Sequence, residues 1–128
     1  MGLLGRFEAQ LIRESRSGIA SVMGAEKNDN RIMGKLSGPE LKKAIAGLRG
    51  WTVAKGKLHK EYKFADFIHA FGFMATAALA IEKKNHHPEW FNVYNRVTVD
   101  LTTHDAKGIT SKDIDVAKLL DEISLKLQ

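Results

Sequence analysis

The stretch "EKKNHHPEWFNVYNRVTVDLTTHD", residues 82–105, contains the change from a helical to a strand pattern that decides the fold. Pro88 ends the preceding helix, because the residue before a proline avoids helical dihedral angles. Apolar residues then occupy the odd positions: Phe91, Val93, Val97, Val99 and Leu101. Such alternation predicts either one long strand or two strands folded at Asn95, since asparagine tolerates the left-handed conformation of a tight turn.

Capping residues mark the starts of two helices before this stretch. Ser37 and Glu40 form an S-x-x-E capping box, in which each side chain satisfies a free backbone N–H group. The apolar stripe of this first helix is Leu41, Ala44, Ile45 and Leu48, and Gly50 is its expected stop. Asp66 caps a longer helix. We expect the apolar face of this second helix to pack against a sheet, and that face is Phe67, Phe71, Met74, Ala78 and Leu79.

Strand patterns lie between these helices, and a last helix closes the chain. Apolar residues alternate with polar ones on both sides of Gly56, at Trp51 and Val53 and then at Leu58, Tyr62 and Phe64. This pattern predicts a β-hairpin. Thr110 and Asp113 begin the last helix, whose inward residues are expected to be Ile114, Ala117, Leu120 and Ile123. Strand pairs separated by helices favour an α+β domain, with an antiparallel sheet and the helices on one face.

Composition describes an ordinary globular domain. The 128 residues are 44% hydrophobic and 27% charged, and we place the domain at residues 36–128. We interpret residues 1–35 as a flexible extension, with organelle targeting as the alternative. The absence of cysteine excludes disulfides, thiolate metal sites and a cysteine nucleophile, and is compatible with a cytoplasmic protein. The formal charge of +5 is scattered, without the basic stripe typical of nucleic-acid binding, and no apolar run is long enough to span a membrane.

Three histidines are candidates for chemistry. His86 and His87 stand where the long helix meets the following strand, and His104 follows the end of the strand pattern. If residues 91–101 fold back as two strands, the two ends of the stretch meet and bring these imidazoles together. Glu82, one helical turn before His86, can reach the same place.

Three interpretations of these histidines compete. Imidazoles at a helix C-terminus can simply offset the helix dipole. A metal site needs three or four converging ligands, but adjacent histidines usually point apart and no H-x-x-x-H spacing occurs here, so we expect no metal. Acid–base catalysis needs only that the imidazoles line a pocket, because each titrates near neutral pH. Trp90 would then supply a wall for a flat ring.

The segments "HHPEWFNVYN" (residues 86–95) and "THDAKGIT" (residues 103–110) resemble the pterin-4a-carbinolamine dehydratase family, and the likeness extends over roughly residues 37–125. The resemblance implies four antiparallel strands backed by three helices, in the order α-β-β-α-β-β-α, with two strands meeting at Asn95. It implies a hydro-lyase that removes water from a 4a-hydroxytetrahydropterin during tetrahydrobiopterin recycling, without a metal or redox cofactor. It also implies a homo-oligomer, a dimer or tetramer. In animals, members of the family double as dimerisation cofactors of a liver homeodomain transcription factor.

The same resemblance assigns roles to individual residues. The family's essential histidines fall on His86, His87 and His104, with His86 and His104 implied in proton transfer and His87 in holding the pterin. The implied substrate-binding positions are Glu82, Asn85, His86, His87, Trp90, Thr102, Thr103, His104 and Asp105. Two positions depart from the family pattern: Asn85 stands where many members have aspartate, and Asp105 where they often have glutamate. The change at Asn85 removes a carboxylate that could orient a neighbouring imidazole.

Overall fold

The computed structural model describes residues 34–128, and over this range it contains three α-helices and four β-strands. The helices are α1 (Gly38–Ala46), α2 (Phe67–Lys84) and α3 (Ser111–Lys126). The strands are β1 (Thr52–Ala54), β2 (Lys57–Lys63), β3 (Glu89–Val93) and β4 (Arg96–Leu101), and a short 3-10 helix follows at His104–Ala106. The predicted α+β class and the order α-β-β-α-β-β-α are confirmed. Residues 1–33, which make up nearly all of the expected flexible extension, lie outside the described residues.

Two hairpins joined along their inner strands build the antiparallel sheet, whose strand order is β1-β2-β4-β3. Lys55 and Gly56, both with positive φ (52° and 76°), form the tight turn of the first hairpin. A two-residue loop, Tyr94 and Asn95, connects β3 to β4, so residues 91–101 form two strands rather than one. The hairpins join through β2 and β4, paired from Leu58 with Leu101 to Lys63 with Arg96.

The two-residue loop changes which positions of the stretch face the core. Because Val93 pairs with Arg96, the odd positions of β3 share a face with the even positions of β4. Val97, Val99 and Leu101 are accordingly buried. Phe91 and Val93 instead lie on the open face of the sheet and are exposed. The apolar residues at odd positions therefore lie on the open face of the sheet before the turn and on its buried face after the turn.

The predicted inner face of α2 is wrong. The buried residues of α2 are Ala70, Phe73, Ala77 and Ile81. Of the five residues expected to face the sheet, Met74 is half-buried, and the other four are exposed: Phe67, Phe71, Ala78 and Leu79. Residues 67–81 carry apolar side chains on both sides of the helix, so periodicity alone favours neither side. None of the described helices combines the length and apolar character needed to cross a membrane.

The other two helices follow the sequence more closely. Both capping boxes are present, Ser37 with Glu40 at α1 and Thr110 with Asp113 at α3. The expected inward residues of α3 are all buried: Ile114, Ala117, Leu120 and Ile123. The predicted end of α1 is too late, because the helix ends at Ala46 and Gly47 is its C-cap. Gly50 instead serves the turn before Trp51, with a φ of +84°.

A polar network centred on Asp121 of α3 connects this helix to β2 and to the turn before β1. Asp121 accepts hydrogen bonds from the Trp51 indole Nε1–H (3.1 Å), the Lys60 ammonium (2.8 Å) and the Tyr62 hydroxyl (2.5 Å). The Lys60 Nζ also lies 4.7 Å from the centroid of the Tyr62 ring, within the range of a cation–π interaction. One carboxylate therefore satisfies donors from β2 and from the turn before β1.

Candidate active site

Two segments of the chain meet at one end of the sheet, and the sequence explains the path of each. Asn85 ends α2 in the left-handed conformation (φ 50°, ψ 40°), which asparagine adopts at low cost. His86 and His87 follow, and Pro88 directs the chain into β3. On the neighbouring strand, β4 ends at Leu101 and leads to the loop that carries His104. The prediction that pairing of residues 91–101 brings these two ends together is confirmed.

His86 contacts a buried carboxylate. Its Nε2 lies 2.5 Å from Oδ1 of Asp113. The Asp113 side chain is completely buried, and that of His86 is 12% exposed. A buried carboxylate requires hydrogen-bond donors in place of water, and the imidazole is one of its partners. This contact connects the end of α2 to the beginning of α3.

The second oxygen of Asp113 extends the contact to the loop that carries His104. Oδ2 accepts from the Thr103 hydroxyl and from the Thr110 backbone N–H, both at 2.8 Å. The hydroxyls of Thr103 and Thr110 are themselves 2.7 Å apart. The backbones of Thr103 and Gly108 also pair. Asp113 therefore fixes His86 and the residue directly before His104 relative to each other.

The other two candidate histidines, His87 and His104, face solvent. His87 Nε2 lies 3.7 Å from Glu82 Oε1, and both side chains are more than half exposed. His104 is exposed at the start of the 3-10 helix, and Asp105 next to it is exposed as well. Within residues 34–128 no hydrogen bond joins any two of the three imidazoles, so the site is an open surface rather than a preformed triad.

Two more of the predicted site residues lie on or beside the sheet. Trp90 is half-buried, pairs with Val99 across the sheet, and packs against the hydrophobic core. Thr102 is half-buried and directly follows β4. The suggested roles of these two residues toward a substrate stay predictions, as do those of Asn85 and Asp105.

Sequence reasoning missed Asp113 as a site residue. The T-x-x-D spacing of Thr110 and Asp113 identified a helix cap, and both halves of that capping box are present. The same carboxylate also reaches His86, 27 residues earlier in the chain. No spacing in the sequence identifies this contact. The full burial of Asp113 in the fold raises the question, because a fully buried aspartate needs more partners than a cap provides.

A groove of about 640 Å³ between α1 and α3 offers an alternative place for a ligand. Its lining includes Leu36, Ala44 and Ile114, with Glu40 and Lys118 at its sides. Among residues 34–128 no histidine lines it, so its described lining lacks a side chain that titrates near neutral pH. In the described part of the chain, no three His, Asp or Glu side chains are placed to hold a metal ion. The chemistry therefore favours the histidine surface as the candidate active site.

Comparison with known proteins identifies the family of the chain that carries this surface. The family model described as "Pterin 4 alpha carbinolamine dehydratase" matches residues 34–123, which include every site residue named above. The chain belongs to the pterin-4a-carbinolamine dehydratase family. A protein of Solibacter usitatus, provisionally named as such a dehydratase, is 64% identical over 90 residues, which are 70% of this chain and 95% of that protein.

Two further comparisons extend the family assignment. A Rhizobium rhizogenes protein with the same provisional name is 52% identical over 94 residues, covering 72% of this chain and 93% of that protein. Among solved structures, a "transcriptional coactivator/pterin dehydratase" from Brucella melitensis superposes with a TM-score of 0.69 at 46% identity. It covers 71% of this chain and 99% of that structure. Family membership and fold thus agree with the resemblance found in the sequence.

Proposed function

We propose that the protein is a 4a-hydroxytetrahydropterin dehydratase that works by histidine acid–base catalysis. The observation that carries the proposal is the link from His86 through Asp113 to Thr103, which holds one imidazole beside the loop of another. Two imidazoles carried at the same end of the sheet suit a reaction that needs both an acid and a base on one small ring. Family membership supplies the substrate class.

The reaction removes one molecule of water. An acid donates a proton to the hydroxyl on C4a, and the C4a–O bond breaks with its electrons leaving on water. A base removes the proton from N5, and the electrons of the N–H bond complete the C4a=N5 double bond of the quinonoid dihydropterin. The proton taken up by the base balances the proton given by the acid, so the total number of protons on the enzyme is unchanged. Proton exchange with solvent then returns the acid and the base to their starting states.

We assign the proton transfers to His86 and His104. His86 is mostly buried and held by Asp113, which suits a group that must keep one orientation. His104 is free to approach a bound ring from the exposed loop. His87, exposed and near Glu82, would hold the pterin, with the Trp90 ring as a wall. In this proposal, bound pterin occupies the surface between residues 85–87 and 102–105.

Histidine substitutions test the proposal in a dehydration assay on a synthetic 4a-hydroxytetrahydropterin, after subtraction of spontaneous water loss. We expect His86→Ala and His104→Ala to lower kcat by about 10²- to 10⁴-fold, the usual contribution of a general acid or base. His87→Ala should mainly raise KM. His69→Ala is the matched control, because that imidazole lies at the start of α2 beside Asp66. Full turnover in both the His86 and the His104 variants would disprove the mechanism.

An interaction role is the second candidate function. The apolar surface of α2 that the sheet does not cover is formed by Phe67, Ile68, Phe71 and Leu79, and exposed apolar patches often mark protein contacts. The solved relative is titled a transcriptional coactivator as well as a dehydratase. A homo-oligomer, or a complex that stabilises a transcription factor, would bury this surface. Wild-type protein without dehydratase turnover that nevertheless binds such a partner would favour this second role.

The cellular setting follows from the proposed reaction. Quinonoid dihydropterin is the oxidised form that a reductase returns to tetrahydropterin, so the enzyme would act in tetrahydrobiopterin recycling, and we propose the cytoplasm as its location. Sedimentation at several concentrations tests the expected dimer or tetramer. A monomer at all concentrations would contradict the oligomer and leave the dehydratase assay as an independent measurement.

A further inference from the structure

Each oxygen of Asp113 has a defined use, and this fixes how protons are arranged around it. The Thr110 backbone N–H can only donate, so Oδ2 is an acceptor there. An ionised carboxylate only accepts, so its other oxygen must accept a proton from His86 Nε2. His86 is then protonated on Nε2 in its neutral form, with a lone pair on Nδ1.

The two threonines reinforce this arrangement in one direction. Thr103 has one hydroxyl proton and donates it to Asp113 Oδ2. The short contact between the threonine hydroxyls is therefore a donation from Thr110 to Thr103. The Thr110 oxygen in turn accepts from the Lys112 backbone N–H. Every proton along this chain points toward Oδ2 of Asp113, so this oxygen carries no proton of its own, and in the ionised carboxylate Oδ1 is left to accept from His86.

The other nitrogen of His86 is accessible to solvent. Nδ1 makes no hydrogen bond within residues 34–128, where His86 Nε2 alone is bonded. In the same residues, no buried polar side-chain atom lacks a hydrogen-bond partner. Within these residues Nδ1 is therefore not fully buried, in keeping with the 12% of this side chain that is exposed.

We propose that Asp113 and Thr103 are positioning residues that hold His86 in the Nε2–H tautomer, so that Nδ1 is the atom that exchanges protons with the substrate. The catalytic part of this inference rests on the proposed dehydratase function. The tautomer itself does not, because it follows from contacts within the protein.

Two-bond ¹H–¹⁵N correlation spectra of the imidazole rings test the tautomer without any pterin. The His86→Gln variant assigns the His86 signals among the five histidines of the chain. We expect wild-type protein above neutral pH to show a protonated Nε2 and an unprotonated Nδ1. An unprotonated Nε2 with a protonated Nδ1 would overturn the proposal without the need for any destabilising variant.

The Asp113→Asn variant tests the cause. If its carbonyl oxygen keeps the contacts with Thr110 and Thr103, its NH₂ group faces His86 and donates to Nε2, which forces the proton onto Nδ1. We expect a reversed ¹⁵N pattern and a kcat at least about 100-fold lower, within the usual range for loss of a general acid or base. KM should change little, because Asp113 is completely buried and has no surface to offer a substrate. An unchanged tautomer or an unchanged kcat in this variant would overturn the proposal.

Asp115→Asn is the matched control. It removes a carboxylate two residues later on the same helix, where the side chain is exposed in the groove between α1 and α3. This variant should keep both the wild-type tautomer and the wild-type kcat. If wild-type protein shows the expected tautomer but no dehydratase turnover, the proposed function fails while the structural assignment stands.

Discussion

Raising the pH above 10 should destabilise the protein through one buried phenol. Tyr62 is 3% exposed and donates a hydrogen bond of 2.5 Å to Asp121. Burial raises the pKa of the Tyr62 phenol far above its ordinary value, and the hydrogen bond to Asp121 and the negative charge of that carboxylate raise it further. The folded protein therefore keeps this proton at a pH where the unfolded chain loses it.

The sign and size of the effect follow from proton linkage. Because the folded pKa is the higher one, the stability contributed by the protonated phenol is complete below the unfolded pKa of about 10 and is lost as the pH rises above it. The loss is about 0.4 kcal/mol at pH 10 and about 1.4 kcal/mol at pH 11, from RT ln(1 + 10^(pH−10)). Tyr62→Phe removes this dependence, although it also loses a hydrogen bond worth about 1 kcal/mol at every pH.

Urea unfolding between pH 9 and 11 measures the effect as a difference between two curves. The stability gap between wild type and Tyr62→Phe should narrow by about 1 kcal/mol from pH 10 to pH 11. Tyr94→Phe is the control, because Tyr94 is the chain's other tyrosine and is 61% exposed. In that variant Tyr62 alone can form tyrosinate, whose ultraviolet absorbance should appear only with unfolding. Tyrosinate absorbance near pH 10 in the folded Tyr94→Phe protein would refute the reasoning.

Four further substitutions test the packing of α2, one turn and one helix cap. Phe73→Ala should lower the free energy of unfolding, measured in urea, by about 3–5 kcal/mol, because Phe73 is fully buried. Phe71→Ala should lower it by about 0.5 kcal/mol or less. Equal losses in the two variants would contradict the observed buried face of α2. Gly50→Ala should cost about 1 kcal/mol because of its φ of +84°, and a neutral result in the same assay would show that the turn can rearrange. The pKa of Asp66 is lowered, first by the hydrogen bond that it accepts from the His69 backbone N–H and then by the His69 imidazole. This carboxylate therefore stabilises the fold at a pH above its ordinary pKa, and the stabilisation is lost as the pH falls. Asp66→Asn should make the free energy of unfolding depend less on pH between pH 5 and 3. Parallel curves of stability against pH for the wild type and the variant would contradict the role of the cap.

Local signals predicted most of the elements and their order, whereas the division of residues 91–101 into two strands at Asn95 came from the family resemblance. Pro88, the capping boxes and the alternation around Gly56 each act on a few neighbouring residues, so their effect can be read from a short segment. Their agreement with the structure extends to the buried residues of α3. The meeting of residues 86–87 with the loop after β4 also followed from the sequence, because an antiparallel hairpin returns the chain to its starting end.

Features that depend on the rest of the fold were not predicted. Residues 67–81 have apolar side chains on both sides of α2, so the choice of Phe73 over Phe71 for the core depends on how the helix docks on the sheet. The partnership of His86 with Asp113 joins two helices that are separated in the chain by both strands of a hairpin. No spacing rule within one element identifies such a contact, although the unusual burial of a capping aspartate points to it once the fold is known.

The strand order has a consequence for folding kinetics. Each hairpin pairs residues that are close in the chain, and hairpins of this kind form within about 1–10 μs. The central pairing of β2 with β4 joins residues about 40 positions apart, such as Leu58 and Leu101, and the intervening chain contains all of α2. Non-local pairing slows folding because loop-closure entropy must be overcome first. We therefore expect the union of the two hairpins to limit the folding rate. His86 and Thr103, which flank the second hairpin, should approach each other before α3 supplies Asp113 to join them.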